Sequence, residues 1–114
     1  FMKHRYDQMA DTIKQEVASI LLFKVNNPNL KNVAVTRIKL TRDLKLARIY
    51  YDVHGSEEEK TLIQKSLNRS KGFIRKELAP KLHMRFVPEI DFFFDDAQES
   101  LMRLDSLFQR LHQE

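Results

Sequence analysis

Apolar residues recur at spacings of three and four from Tyr6 to Leu22: Tyr6, Met9, Ala10, Ile13, Val17, Ile20 and Leu21. That spacing predicts a helix of about five turns with one buried stripe. Asp7, Asp11, Lys14, Gln15 and Ser19 occupy its other face. Asn26-Asn27-Pro28-Asn29 ends it, because the residue before a proline is pushed out of the helical region. The period then changes to two. From Val33 to Leu40 a β-branched, alternating run predicts a strand, with Ala34, Thr36, Ile38 and Leu40 on one face and Val33, Val35, Arg37 and Lys39 on the other. Thr41-Arg42-Asp43-Leu44 suits a turn, and Ala47, Ile49, Tyr51 and Val53 share a face of a second strand. A connection this short predicts an antiparallel hairpin.

Ser56 followed by Glu57-Glu58-Glu59 marks a helix start, a cap residue ahead of acids near the positive end of the helix dipole. Ile63, Leu67, Ile74 and Leu78 carry one apolar face onward, yet Gly72 interrupts it at a cost of about 1 kcal/mol relative to alanine. With Ser70 nearby, also small and a competitor for backbone hydrogen bonds, the stretch reads as two helices. They share a buried face and join at a tight kink over Ser70-Lys71-Gly72. Pro80 is expected to end the second helix near Leu78 or Ala79. A third strand follows from about Val87 to Phe94, with Ile90, Phe92 and Phe94 opposite Asp91 and Phe93. Asp95 or Asp96 then caps a last helix, over 95–114, striped by Leu101, Leu104, Phe108 and Leu111.

The order helix, strand, strand, kinked helix pair, strand, helix predicts an α+β fold: a three-stranded sheet with helices on one face. It resembles the prokaryotic (type II) K-homology arrangement, in which the bend between paired helices clamps nucleic-acid backbone. One domain over 1–114 is expected from the length.

Composition narrows the function. Apolar residues make up 42% of the chain and charged residues 32%, as in a soluble globular protein. No apolar run approaches the roughly 20 residues of a membrane span and no signal-peptide pattern opens the chain, so no membrane partner is expected and the cytoplasm is the expected location. With no cysteine, thiol catalysis and cysteine metal sites are excluded. His4, His54, His83 and His112 are scattered without ligand spacing, and no phosphate-binding glycine loop exists. Asp95-Asp96 reads as a helix cap more readily than as an acid–base pair. Neither enzyme nor cofactor is expected.

The net charge of +4 hides a strong segregation. Residues 1–48 carry ten basic and four acidic side chains, and residues 60–85 carry eight basic against Glu77 alone. Residues 49–59 and 86–114 are acidic. Such polarity favours an anionic partner, nucleic acid before membrane. The candidate RNA-binding residues are Lys65, Arg69, Ser70, Lys71, Gly72, Arg75 and Lys76 around the kink, with Arg42 and Lys45 from the hairpin. On a straight helix Lys65, Arg69 and Lys76 lie opposite the apolar stripe; a kink re-aims Lys71, Arg75 and Lys76. The competing reading is a solvated charged face on a helix that tolerates a glycine. A rival platform is the sheet face away from the helices, where Tyr50 and Phe93 stand among Lys39, Arg48 and Asp91. Exposed sheet aromatics stack bases, but the last helix is expected to cover these.

Several segments, in this order and spacing, are similar to the ribosome-binding factor A family. They are Asn27-Pro28-Asn29-Leu30, the run from Val35 to Leu44 with Ala47 and Tyr50, and the run from Leu67 to Arg75. Val87-Pro88-Glu89-Ile90 and then Glu99, Arg103 and Asp105 complete them. The resemblance spans about Arg5 to Leu107. It implies a type II K-homology fold whose clamp is an Ala-x-Gly kink, and no catalysis. It also implies binding to 16S rRNA of the free small (30S) ribosomal subunit, assistance in late rRNA processing and subunit maturation, and a role in cold adaptation. A monomer is expected. Ser70 stands where the family usually has alanine, and Ala97-Gln98 replace its usual Ser-Ile. A protein–protein adaptor and a general single-stranded RNA-binding K-homology module are the alternatives.

Overall fold

A computed structural model describes residues 5–96. Helix α1 spans Arg5–Phe23, a 3₁₀ turn Pro28–Asn32, strand β1 Ala34–Leu40, strand β2 Leu46–Asp52, helix α2 Glu57–Leu82 and strand β3 Glu89–Phe94. The sheet order is β1-β2-β3, with β1 antiparallel and β3 parallel to β2. The expected α+β order is thus present through β3. The last helix, and the cover it was expected to provide, lie outside the described residues.

The periodic stripe of α1 is its buried face, with Ile13, Val17, Ile20 and Leu21 in the core. The helix closes where Lys24 and Val25 both donate to the Ile20 carbonyl. Asn27 caps the following turn by accepting from the Asn29 N–H, and Pro28, which has no N–H to lose, opens it. That turn delivers Leu30, fully buried, under α1.

In β2 the alternation is kept: Ala47, Ile49, Tyr51 and Val53 are all buried. In β1 it is not. The register shifts between Val35 and Arg37, a β-bulge, so Val35 and Ile38 both pack against the core. Thr36 and Arg37 both reach Asp95 instead of alternating. The expected face with Ala34, Thr36, Ile38 and Leu40 together is therefore corrected: an extra residue at a bulge inverts the parity of everything before it.

Two further corrections concern α2. It is one continuous helix of 26 residues, about 39 Å long, not two helices joined at Ser70-Lys71-Gly72. Ile63, Leu67, Ile74 and Leu78 stay in phase on the core, each contributing about 1.5–3 kcal/mol on full burial. Gly72 costs about 1 kcal/mol in propensity, too little to break a helix held on both sides of it. Nor does Pro80 end the helix, which runs on to Leu82 and stops at His83 in the left-handed region, φ 51°. Pro80 is exposed, and the single bond it forfeits, to the Lys76 carbonyl, lies on the solvent side. Buried Leu78 and half-buried Leu82 hold the last turn down. At the other end, the Ser56 hydroxyl accepts from the Glu59 N–H while the Glu59 carboxylate accepts from the Ser56 N–H, a complete capping box.

Both helices pack on one face of the sheet, α1 over β1 and α2 toward β3, touching each other between. Side chains of α2 also reach the outer edge of β3. The N–H groups of Glu89 and Asp95 donate inward, to Lys45 and Tyr51 carbonyls beside β2. By the alternation of a parallel ladder the carbonyls of Pro88 and Phe92 point outward. Gln64 donates to the Phe92 carbonyl and accepts from the buried Tyr51 hydroxyl, and Arg75 donates to the Pro88 carbonyl.

Candidate nucleic-acid interface

Because α2 is straight, its surface residues fall into lanes. Lys65, Arg69, Gly72 and Lys76 are spaced four, three and four apart, one above another along about 16 Å of helix. The lane runs diametrically opposite the core stripe, and all four residues are exposed. None of the three cations has an ion pair among the described residues. An added Cβ at Gly72 would meet no atom outside its own stretch of helix within 4 Å, and its backbone is ordinary helix. The glycine therefore serves no packing need within the described residues. It leaves a notch in the middle of a cationic ridge, where another backbone can come close. Phe73, 42% exposed, stands beside the notch.

Lys71 and Arg75 lie in a different lane, a quarter turn or so away and facing β3. The Lys71 ammonium is 2.8 Å from the Asp91 carboxylate. The Arg75 guanidinium donates to the Pro88 carbonyl at 3.0 Å and the Val87 carbonyl at 2.9 Å, and stands 3.4 Å from Glu89. Both side chains are about one-third exposed. They fasten the helix to the third strand and its approach; their charge is already matched. Ser70 is half-buried on the lane's other flank. The structure thus brings together four of the nine candidate residues and assigns two others to holding α2 on the sheet.

Arg42 and Lys45 belong to the β1–β2 turn and are exposed. Leu44 adopts a positive φ of 62° there. Asp43 makes this possible by accepting from the Thr41 hydroxyl at 2.7 Å and the Lys45 N–H at 3.1 Å, while the Thr41 hydroxyl accepts from the Leu46 N–H. The Thr41 hydroxyl first, and then the Lys45 N–H, hold the Asp43 carboxyl below the usual carboxylate range. In Tyr51 burial pushes the phenol up, so it stays protonated as a donor to Gln64. Lys45 lines an open cleft of about 740 Å³ with Arg5 and Arg85, at the C-terminal end of α2.

The sequence reading missed Phe73 and the carbonyl partners of Arg75. Phe73 is legible as an apolar residue off the core stripe; the carbonyls carry no side-chain signal. Among the described residues no cluster of His, Cys, Asp or Glu could hold a metal ion, and no helix is long and apolar enough to cross a membrane.

A cationic ridge with a notch can bind a polyanion. Comparison with known proteins gives this arrangement its setting. The family model of ribosome-binding factor A matches residues 5–108. Ribosome-binding factor A of Desulfatibacillum aliphaticivorans is 37% identical over 107 residues, covering 94% of this chain and 87% of that one. The solution structure of a Thermotoga maritima protein described as a putative ribosome binding factor A superposes with a TM-score of 0.69. It is 27% identical and covers 82% of this chain and 91% of its own. A Thermus thermophilus ribosome binding factor A homology model, fitted into the cryo-EM map of a complex of that protein with 30S, superposes with a TM-score of 0.63. It is 22% identical and covers 76% of this chain and 91% of its own. The chain belongs to the ribosome-binding factor A family.

Proposed function

We propose that this chain is a non-catalytic ribosome assembly factor that binds the free 30S subunit through its 16S rRNA. In this role it assists late rRNA processing and maturation and supports growth in the cold, acting as a cytoplasmic monomer. The observation that carries the reading is the lane of Lys65, Arg69 and Lys76, without ion pairs among the described residues, with Gly72 open between them. The family membership and the 30S complex of the Thermus protein support the choice of partner. Phosphates would follow the lane, closest at Gly72, with Phe73 available to a neighbouring sugar or base. Lys71 and Arg75 would act as positioners of α2.

The test is co-sedimentation with free 30S subunits and with whole ribosomes. The triple variant Lys65→Glu, Arg69→Glu, Lys76→Glu should lose 30S binding while keeping its melting temperature within a few degrees. If three phosphates are neutralised, affinity should fall roughly 20- to 40-fold between 50 and 200 mM salt. Binding by the triple variant equal to wild type would remove the lane from the interface. Absence of the unaltered protein from 30S fractions at low salt would refute the reading as a whole.

A further inference from the structure

The sheet face away from the helices carries a row of side chains that the α2 lane does not use. Arg37 on β1 pairs with Tyr50 on β2, and Tyr50 with Phe93 on β3, so the three stand in register across the whole sheet. The Arg37 guanidinium carbon lies 4.1 Å from the Tyr50 ring centroid, and the Tyr50 and Phe93 rings are 5.6 Å apart and tilted by 31°. Phe93 is 41% exposed, and the outer side of Arg37 is open. Asp95, which accepts from the Thr36 hydroxyl at 2.6 Å, anchors Arg37 at 3.6 Å. The bulge at Thr36 is what puts both of these side chains within reach of it. The result is a nearly continuous strip of flat, polarisable groups.

The next row on the same face is Lys39, Arg48 and Asp91, again in register. Asp91 is matched by Lys71, and Glu89 on the same strand by Arg75. Lys39 and Arg48 are exposed and have no ion pair among the described residues. Same-face rows along a strand are two residues, about 6.6 Å, apart, which is on the scale of the distance from a nucleotide's base to its phosphate. A stacking row beside a row of free cations is the arrangement that holds single-stranded nucleic acid without regard to sequence.

We infer that this face is a second RNA surface, which takes an unpaired segment of RNA with its bases on Arg37, Tyr50 and Phe93 and its phosphates on Lys39 and Arg48. The inference rests on the reading of the chain as an RNA-binding factor, but on residues that reading does not involve. The helix lane and the sheet row lie on opposite sides of the molecule, so both could be filled at once.

The experiment uses the full chain and a labelled single-stranded decamer of uridine and adenosine, with a ten-base-pair duplex of the same sequence as control, read by fluorescence anisotropy. Phe93→Leu and Tyr50→Leu, which keep apolar bulk and remove the ring, should each weaken decamer binding about 5- to 150-fold. The slope of log affinity against log salt should stay unchanged, and so should duplex affinity. Lys39→Gln and Arg48→Gln should each make that slope shallower by about 0.7. No binding of the decamer by the unaltered chain, or unchanged affinity in both ring variants, would overturn the proposal. Equal losses on decamer and duplex would also overturn it. A lowered melting temperature with unchanged decamer affinity would do the same, by assigning the row to a protein segment such as residues 97–114. In each of these cases 30S co-sedimentation, measured in parallel on the ring variants, shows whether the α2 reading survives.

Discussion

Replacing Gly72 with alanine should make the protein more stable and a worse binder. The stability arm follows from local structure. Gly72 has a helical backbone, is exposed, and has no atom outside its own stretch of helix within 4 Å of where a Cβ would stand. The substitution therefore adds a methyl group to open solvent and removes the conformational freedom of a glycine from the unfolded chain, a gain of about 0.5–1 kcal/mol. For a chain of this size that is roughly 2–8 °C in melting temperature, or about half a molar in urea midpoint at an m-value near 1.5 kcal/mol per molar. The binding arm follows from the notch. If an RNA backbone passes between Arg69 and Lys76, the methyl group occupies the point of closest approach, and 30S affinity should drop although no charge has changed. Thermal melts, urea titrations and 30S co-sedimentation of the purified variant decide both arms. A destabilised Gly72→Ala would mean that α2 is not the straight, open helix described. A stabilised variant with undiminished 30S affinity would mean that nothing approaches Gly72, and the lane would be reduced to three independent charges.

Arg75→Ala removes two charge-assisted bonds to the Val87 and Pro88 carbonyls and should cost roughly 1–3 kcal/mol in urea denaturation. Affinity for 30S should be nearly unchanged under conditions where both proteins are folded. Lys71→Met breaks a half-exposed pair with Asp91 and should cost no more than about 1 kcal/mol. Gln64→Leu leaves the Tyr51 hydroxyl and the Phe92 carbonyl without their partner and should cost about 1–3 kcal/mol, measured the same way. Asp43 has a folded-state carboxyl held below its usual range, so it stabilises the folded chain above the unfolded-state value. That contribution is lost as pH falls through the folded-state value. Melting curves from neutral to acid pH should therefore fall less steeply for Asp43→Asn, which keeps an acceptor but cannot titrate, than for the unaltered chain.

Periodicity made α1, β2 and β3 legible in the sequence, because each turns one apolar face to the core and its pattern has no competing cause. The failures have a common origin in interactions distant along the chain. Nothing in Val35-Thr36-Arg37 signals a bulge; it is set by the register with Tyr50 and Tyr51 and stabilised by Asp95, 59 residues beyond Thr36. Gly72 looked like a break because its cost is local and visible, while the burial of Ile63, Leu67, Ile74 and Leu78 that overrides it depends on a sheet the helix cannot announce. Pro80 reads as a helix end for the same reason: its local cost is visible, and the burial of Leu78 and Leu82 that outweighs it is not. Within the site, the spacing of Lys65, Arg69 and Lys76 showed their shared face directly once the helix is straight. Lys71 and Arg75 looked equivalent to them because their partners, a carboxylate and two main-chain carbonyls, arrive 12 to 20 residues later.

The bonds from Gln64 and Arg75 to the outer carbonyls of β3 have a consequence for how the molecule behaves in a crowd. An edge strand with free carbonyls and N–H groups is a template on which another chain can add a strand. Here two of the outward carbonyls, at Pro88 and Phe92, are already occupied by side chains of the same molecule, with α2 lying alongside. At the opposite edge, β1 is broken by its bulge and flanked by Arg37 and Lys39, so an incoming strand would find its ladder out of step and its approach charged. The sheet is thus obstructed at both margins by unrelated means, which hinders its lengthening into fibres or mispaired dimers, while among the described residues its face away from the helices is left open.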